Sequence, residues 1–483
     1  MIDETSRRQL QGIPSIDALL HTEAVDDLRK GLGTLRVAEL ARRVTQELRV
    51  EIKSGVLNPA TLSVKGDREA LLHEAVRRLE LAASCDASSG LRRVINATGV
   101  VLHTNLGRAP LSEEARRAVS REAAGYCTLE YSLEEGARGR RGERVEDLLV
   151  EVTGAEAAVV VNNCAAATLL TLAVLARDGE TIISRGELVE IGGDFRIPDV
   201  MAQSGTTMIE IGTTNRTRLC DYEGAVNQRT RLILRVHPSN YRIVGFTAAP
   251  PLSELANLAH DRGVPLFEDA GSGALIDLGS YGLRDEPIVQ QSIFEGADLV
   301  AFSGDKLLGA GQAGIVVGRR TYIDQLRRHP FYRALRADKL ALAALEATLN
   351  AYRRGTACAE VPVLHMLALT QNQIESRARM FFSEMEAADL FPMLRCELIE
   401  GTSAIGGGSA PTVHPSTVLL ALTHESLSAD QLERALRLSD PPLIGRVAEG
   451  KVLLDLRTVK EDEESEMLQV LAGVQSKSAR SEL

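Results

Sequence analysis

The apolar run Val264-Pro265-Leu266-Phe267-Glu268-Asp269 ends in an acid and is followed by Ala270-Gly271-Ser272-Gly273. Further along, ADLVAFSGDK (297–306) carries a second apolar run into Ser303-Gly304-Asp305-Lys306. A lysine set straight after a buried strand, among glycines, is partly desolvated, and desolvation makes an amine a better nucleophile. A Schiff-base lysine together with an acid that pairs with a pyridinium nitrogen is what pyridoxal phosphate requires. That cofactor also needs backbone N–H groups at a helix start for its phosphate. The turn Asn162-Asn163-Cys164-Ala165-Ala166-Ala167, between a strand and a helix, supplies such a cradle. Cradle, Asp269 and Lys306 follow one another in that order, with Ser303 on the lysine's own loop. Taken singly, a strand-end Asp can be structural and Lys306 can be a solvated loop lysine; the combination carries the reading.

Gly309-Ala310-Gly311-Gln312-Ala313-Gly314 matches the dinucleotide pattern G-x-G-x-x-G. That fingerprint must follow a strand and open a helix. Here it follows the Lys306 loop and opens an apolar strand, Ile315-Val316-Val317, so it predicts a hairpin or a close approach by a neighbouring subunit. Arginines form a second constellation. GARGRRGER (136–144) includes Arg138 and Arg141 among glycines, Tyr332-Arg333-Ala334-Leu335-Arg336 puts two arginines three residues apart, and Arg108 follows Gly107. Guanidinium forks suit phosphate-like oxyanions; surface ion pairing is the alternative for any one of them.

The elements that must hold these groups divide the chain into three parts. Residues 1–93 have helical apolar spacing in Val25–Leu28, Leu35–Val50 and Leu71–Leu81, punctuated by Gly31, Gly33, Gly55 and Pro59. A polar, small-residue stretch, 84–90, closes this part. Residues 94–355 alternate strand and helix: strands are expected at Ala157–Asn163, Thr181–Arg185, Thr207–Gly212, Leu232–Val236, Val264–Asp269, Asp298–Phe302 and Ala313–Val317. Helices such as Ala165–Arg177 and Leu252–Arg262 lie between several of them. Continuous apolar strands separated by helices predict an α/β fold with a mostly parallel sheet covered on both faces. Its ligand belongs at the carboxyl ends of the strands. Residues 356–483, with an amphipathic segment 365–388, a glycine loop 406–408, strands at 417–423 and 452–456, a helix at 428–438 and a final charged helix, predict a small α+β domain.

Composition narrows the function further. The 483 residues carry 55 Lys+Arg against 66 Asp+Glu, a net charge of -11, and aromatics are 4% with no Trp. This disfavours non-specific nucleic-acid binding, DNA included, and base-stacking platforms. Residues 1–93, with 15 basic against 14 acidic side chains, are near neutral, so the acidic surplus belongs to the rest. No run approaches the ~18 apolar residues of a membrane helix, and MIDETSRRQL lacks a signal pattern. Six scattered Cys without a CxxC pair fit reduced thiols in a cytoplasm and argue against a zinc site.

The chain resembles bacterial selenocysteine synthase, also called L-seryl-tRNA(Sec) selenium transferase. The resemblance runs through INATGVVLHTNLGRAPL (95–111), EYSLEEGARGRRGERVEDLL (130–149), VVNNCAAATLL (160–170), SRGELVEIGGDFRIPDVM (184–201) and RVHPSNYRIVGF (235–246). It continues through EDAGSGAL (268–275), FSGDKLLGAGQAGIVVG (302–318), HPFYRALRADKLALAALEATL (329–349) and PPLIGRV (441–447). SGDKLLG and RALRADK are specific to the group. Two departures are Cys164, where the usual turn has a third Asn, and Ala310-Gly311, where Gly-Pro is common; backbone N–H donors remain.

The resemblance implies a fold-type-I pyridoxal phosphate enzyme, a large homo-oligomer built from dimers, and conversion of seryl-tRNA(Sec) to selenocysteinyl-tRNA(Sec) with selenophosphate through a cofactor-bound aminoacrylyl intermediate. It implies Lys306 as the Schiff-base lysine, Asp269 as the pyridinium partner and Asp305 as an acid needed beside the lysine. Arg108, Arg333 and Arg336 match arginines that hold the selenium donor, with Arg138 and Arg141 as further candidates. The N-terminal helical part matches the tRNA-recognising domain. Arg457, where relatives of this fold often clamp a carboxylate, is either structural or binds elsewhere, because an esterified seryl group has no free carboxylate. The competing reading is a related lyase acting on a small phosphorylated amino sugar or amino acid, expected to lack the N-terminal part; a non-catalytic tRNA-binding protein would not need Lys306 or Asp269.

Overall fold

Apolar residues spaced three and four apart build the first unit. The helices are α1 (Ile16–Leu20), α2 (Glu23–Leu32), α3 (Thr34–Ser54) and α4 (Asp67–Ala87). Val37, Leu40, Ala41, Val44 and Leu48 of α3 form one buried stripe, packed against Ala75, Leu79 and Ala83 of α4. Two 2.8 Å hydrogen bonds from the Arg78 guanidinium to the Glu51 carboxylate tie the same two helices. Gly33, at φ 79°, ends α2, whereas Gly31 lies within it. The computed structural model describes residues 10–54, 67–87, 90–192, 195–390 and 392–475; Gly55, Pro59, Ser88 and Ser89 fall outside these. The polar stretch from residue 84 begins inside α4, which runs to Ala87. By its contacts the chain divides into Met1–Arg93 and Val94–Leu483.

The second unit is organised by a seven-stranded sheet: β1 (Ala157–Val161), β2 (Glu180–Ser184), β3 (Thr207–Ile211), β4 (Thr230–Val236), β5 (Leu266–Gly271), β6 (Leu299–Ser303) and β7 (Gly314–Gly318). These are the seven runs expected from the sequence, with ends shifted by a few residues. Their order across the sheet is β1-β7-β6-β5-β4-β2-β3. All pairings are parallel except the two made by β7, which runs antiparallel to β6 and β1. Strands β1, β2, β6 and β7 are buried at every position, which explains continuous apolar runs where a half-exposed sheet would alternate. In β1, Ala158 and Val160 face one core with Leu148 and Leu149. Ala157, Val159 and Val161 face the other, with Leu170 and Leu172 of α5 (Cys164–Leu175).

The G-x-G-x-x-G segment lies in the connection between antiparallel β6 and β7, closed by Gly304 N–H to the Ala313 carbonyl at 2.9 Å and Ala310 N–H to the Gly304 carbonyl at 2.8 Å. It is a hairpin connection, not a dinucleotide loop.

A second, antiparallel sheet has the order β8 (Leu394–Thr402), β9 (Ser416–His424), β11 (Lys451–Asp455), β10 (Arg446–Ala448). Helices α6 (Gln371–Ala387), α7 (Ala429–Arg437) and α8 (Glu464–Gln475) share its core. The sequence predicts one amphipathic segment over 365–388; the structure breaks it at Leu369–Thr370. There the Thr370 hydroxyl accepts from Gln373 N–H and the Gln373 side chain accepts from Thr370 N–H, a reciprocal cap that starts α6 afresh. The expected divide near residue 355 is not a break in contacts either. Ile95–Asn96 pair with Leu443–Ile444, and Val100 and Leu102 pair with Ala404 and Gly406, so the first strands after the N-terminal unit are stitched into the C-terminal part.

Candidate active site

Lys306 follows the end of β6 and is only 4% exposed. Its turn is fixed by Leu307 N–H to the Ser272 carbonyl and by Gly309 N–H to the Lys306 carbonyl, both 2.9 Å. Among the described residues no hydrogen bond ties its Nζ to a protein group, so the amine is buried and unspent.

Asp269 lies on β5, the strand beside β6. Its Oδ2 accepts from the Thr168 hydroxyl at 2.9 Å, and its Oδ1 from Gly271 N–H at 3.1 Å and from the Cys164 thiol at 3.7 Å. Burial pushes the Asp269 carboxyl above its usual range, although Thr168 and the Lys306 charge pull the other way. A carboxyl so placed is matched by a cation brought against it, and a protonated ring nitrogen is one.

The cradle forms where β1 turns into α5. Asn163 caps the helix, its side-chain oxygen accepting from Ala166 N–H at 2.9 Å, and Ala167 N–H reaches the Asn163 carbonyl at 3.1 Å. The N–H groups of Cys164 and Ala165 are left without an intrahelical acceptor, as the first turn of any helix leaves them. A Cβ on Gly314 would stand 1.9 Å from the Asn163 carbonyl oxygen, so β7 approaches the cradle at a distance only glycine allows. Asn162 is exposed and its N–H donates to the Leu335 carbonyl at 2.9 Å. Cys164 does more than stand in for an asparagine: its thiol reaches Asp269 on one side and the Ser303 hydroxyl on the other, and burial raises it well above the ordinary thiol range.

Asp305 is buried and its Oδ2 accepts from Arg108 Nη1 at 2.7 Å. Arg108 follows Gly107 (φ 91°) and itself adopts φ 60°. The other four candidate arginines sort separately. Arg138, Arg141, Arg333 and Arg336 line one pocket of about 230 Å³, with Arg140, Arg327, Glu130 and Glu146; Arg108 is not among its walls. Glu130 stands at the junction of three of them, accepting from Arg141 and Arg336 on Oε1 at 3.0 Å each and from Arg138 on Oε2 at 2.9 Å. Arg141 first, then Arg138 and Arg336, hold its carboxyl below the usual range. Leu335–Arg336 is carried to the end of β1 by a bridge to Val161, and Arg336 also lines a separate pocket that includes Asn162. A larger pocket of about 660 Å³ contains none of the predicted site residues.

Arg457 is buried and spent: Nε donates to the Ser403 hydroxyl at 2.8 Å, Nη1 to the carbonyls of Met366 (2.9 Å) and Leu369 (2.7 Å), and Nη2 to that of Ser416 (2.7 Å). It staples three chain segments and is structural. Two polar residues at the site escaped the sequence reading. Thr168 sits one helical turn after Cys164, a spacing that puts both on the face turned to Asp269. Glu130 gives no local signal, since its partners Arg141 and Arg336 are fixed only by the fold.

The donor set fits pyridoxal phosphate: an unspent buried amine, an under-matched buried carboxyl on the next strand, and a glycine-flanked helix start. Fold and site together define a pyridoxal phosphate-dependent enzyme of fold type I. A solved structure of D-glucosaminate-6-phosphate ammonia-lyase shares this fold, with a TM-score of 0.56, covering 81% of this chain and 98% of that one. At 21% identity it speaks for the fold alone.

Residues 94–460 match the L-seryl-tRNA selenium transferase family, and residues 10–49 match the selenocysteine synthase N-terminal family. The L-seryl-tRNA(Sec) selenium transferase of Moorella thermoacetica is 48% identical over 468 residues, covering 96% of this chain and 97% of that one. That of Geobacter sulfurreducens is 45% identical over 465 residues, covering 96% and 99%. The chain belongs to the L-seryl-tRNA(Sec) selenium transferase family.

Proposed function

We infer that the chain converts L-seryl-tRNA(Sec) to selenocysteinyl-tRNA(Sec) with selenophosphate as selenium donor. The observation that carries this is the coincidence, in one family member, of the Lys306–Asp269–cradle constellation with an N-terminal helical unit matched by the family's own N-terminal region. The lyase reading lacks a use for that unit.

Pyridoxal phosphate, when bound, supplies an aldehyde for the seryl amine and a ring that takes up electrons from the α-carbon. Lys306 would anchor it, Asp269 would pair with its ring nitrogen, and the N–H groups of Cys164 and Ala165, with Asn162, Asn163 and Ser303 around them, would hold its phosphate. The freed Lys306 amine takes the α-proton of the seryl group; burial keeps water from competing for it. The β-hydroxyl is a poor leaving group and needs a proton as it departs as water; the proton taken up by Lys306 can serve, and we assign its relay to Asp305, the neighbouring carboxylate oriented by Arg108. Arg333 and Arg336, aided by Arg138 and Arg141, hold the phosphate-like donor, while Arg108, outside their pocket, acts through Asp305. The donor's selenium bonds to the β-carbon, and water then cleaves the selenium–phosphorus bond so that phosphate leaves. The seryl group is esterified to tRNA, so the reaction asks for no carboxylate clamp, in keeping with the structural role of Arg457.

The domain roles follow as part of the same proposal: residues 1–93 bind tRNA, 94–355 carry the cofactor and 356–483 form the small domain, in a large cytoplasmic homo-oligomer built from dimers. Among the described residues no helix is long and apolar enough to cross a membrane. The test compares full-length protein with residues 94–483. Loss of tRNA(Sec) binding with the cofactor's visible absorbance retained supports the division; unchanged tRNA binding contradicts it.

A further inference from the structure

Glu130 occupies the position an oxyanion would take. One carboxylate oxygen receives N–H groups from Arg141 and Arg336 and the other from Arg138. Three guanidinium donors converging on two oxygens is the arrangement that recognises a phosphate-like group. Arg141 is locked in this pose, its Nε and Nη2 both on the Ala337 carbonyl at 3.0 and 2.7 Å, so its remaining nitrogen is aimed at whatever anion sits there. Arg333, on the same pocket wall, is exposed and has no protein acceptor among the described residues. Glu130 and Arg138 belong to one short hairpin, in which Tyr131–Ser132 pair with Ala137–Arg138 and Gly139 N–H bonds the Glu130 carbonyl at 3.0 Å. Arg336 and the Ala337 anchor of Arg141 belong to the segment bridged to β1.

We propose that Glu130 is a resident anion of the donor site, which holds Arg138, Arg141 and Arg336 in place and is displaced by the phosphate-like group of the donor. This rests on the reading of these arginines as the donor site. A carboxylate and a phosphate cannot share the same three donors without strong like-charge repulsion, so Glu130 leaves Arg141 and Arg336 as the donor enters. Glu130 is then a positioning residue with two effects. It keeps guanidinium groups from repelling one another when the site is empty, and it weakens every anion by the same competition, so that only a ligand with additional contacts displaces it.

The test titrates inorganic phosphate into the cofactor-loaded full-length enzyme by calorimetry. Glu130→Gln keeps size and one acceptor but removes the charge. It is expected to bind phosphate about tenfold more tightly or better, as removal of a close competing charge implies, and to lower KM for selenophosphate more than it changes kcat. Glu130→Asp, which keeps the charge on a shorter stem, is expected between wild type and Glu130→Gln, and carries the test alone if the amide variant does not fold. A Glu130→Gln enzyme that binds phosphate no more tightly than wild type, or a Glu130→Asp enzyme that does not exceed wild type, overturns the inference. Arg336→Ala separates the two layers. If it weakens phosphate binding while Glu130→Gln leaves it unchanged, the arginine site stands and only the role of Glu130 falls. If Arg336→Ala has no effect, the arginine reading itself fails, and the inference with it.

Discussion

Arg108 bonds Asp305 across 197 residues of sequence, Nη1 to Oδ2 at 2.7 Å, immediately before the lysine that the cofactor needs. The pair fixes the loop at its base, since the Asp305 carbonyl also accepts from Ala109 N–H at 3.3 Å. Arg108→Ala leaves a mostly buried carboxylate without its partner. The expected cost is about 1–3 kcal/mol of stability, read as a lowered Tm, with activity falling further than cofactor absorbance. An Asp305→Asn enzyme with undiminished turnover would remove the acid assigned here.

Thr168 and Cys164 hold the two oxygens of Asp269. Thr168→Val keeps the shape and deletes the hydroxyl, leaving Asp269 Oδ2 buried without its donor. Cofactor affinity, followed by absorbance titration, is expected to fall by about tenfold, the equivalent of one lost hydrogen bond to a charged group. Unaltered affinity would mean that Asp269 is positioned without Thr168, by Gly271 N–H and the Cys164 thiol on its other oxygen.

Gly314→Ala tests the close approach of β7 to the cradle. The new methyl would meet the Asn163 carbonyl at 1.9 Å, and backbone must shift to admit it. The expectation is about 1–3 kcal/mol of destabilisation or more and loss of cofactor retention on gel filtration. Full retention would show that the cradle tolerates displacement.

Much of this was legible in the sequence because the chemistry sits where local pattern is strongest. A mostly parallel sheet buried on both faces writes its strands as apolar runs, so all seven could be read directly, although the strand expected to end at Asp269 runs on to Gly271 and the one expected to end at Phe302 takes in Ser303. The G-x-G-x-x-G hairpin was legible from the elements on either side of it, whereas the cap was not: Asn163 was expected to end the strand, and the structure makes it the cap of a helix that starts at Cys164. Groupings made only in three dimensions were not legible. Nothing local links Glu130 to Arg336, or reveals that Arg108 turns to Asp305 while the other four arginines gather elsewhere. The pairing of residues 95–102 with strands after residue 404 is also invisible, because two- and three-residue strands leave no periodicity.

Glu146, beside Arg327 in the arginine pocket, is pushed up to about 7 from an ordinary 4.5 by burial. Glu187 is raised to about 7 by the same cause. A carboxyl raised in the folded state binds its proton more tightly folded than unfolded, so unfolding releases protons between about pH 4.5 and 7. The stability these groups contribute is present at the acid end of that window and is lost as pH rises through it. Glu146→Gln should flatten the dependence of Tm on pH across that interval; an unchanged slope would mean that the ion pair with Arg327 keeps Glu146 charged throughout.

The most direct test is the reaction itself. Full-length enzyme loaded with pyridoxal phosphate is mixed with seryl-tRNA(Sec) and selenophosphate, and the aminoacyl group on the tRNA is identified. Selenocysteinyl-tRNA(Sec) from wild type, with none from a Lys306→Ala enzyme that still binds the tRNA, is the predicted result. Seryl-tRNA(Sec) left unchanged by the wild type, or converted equally well by Lys306→Ala, would contradict the account.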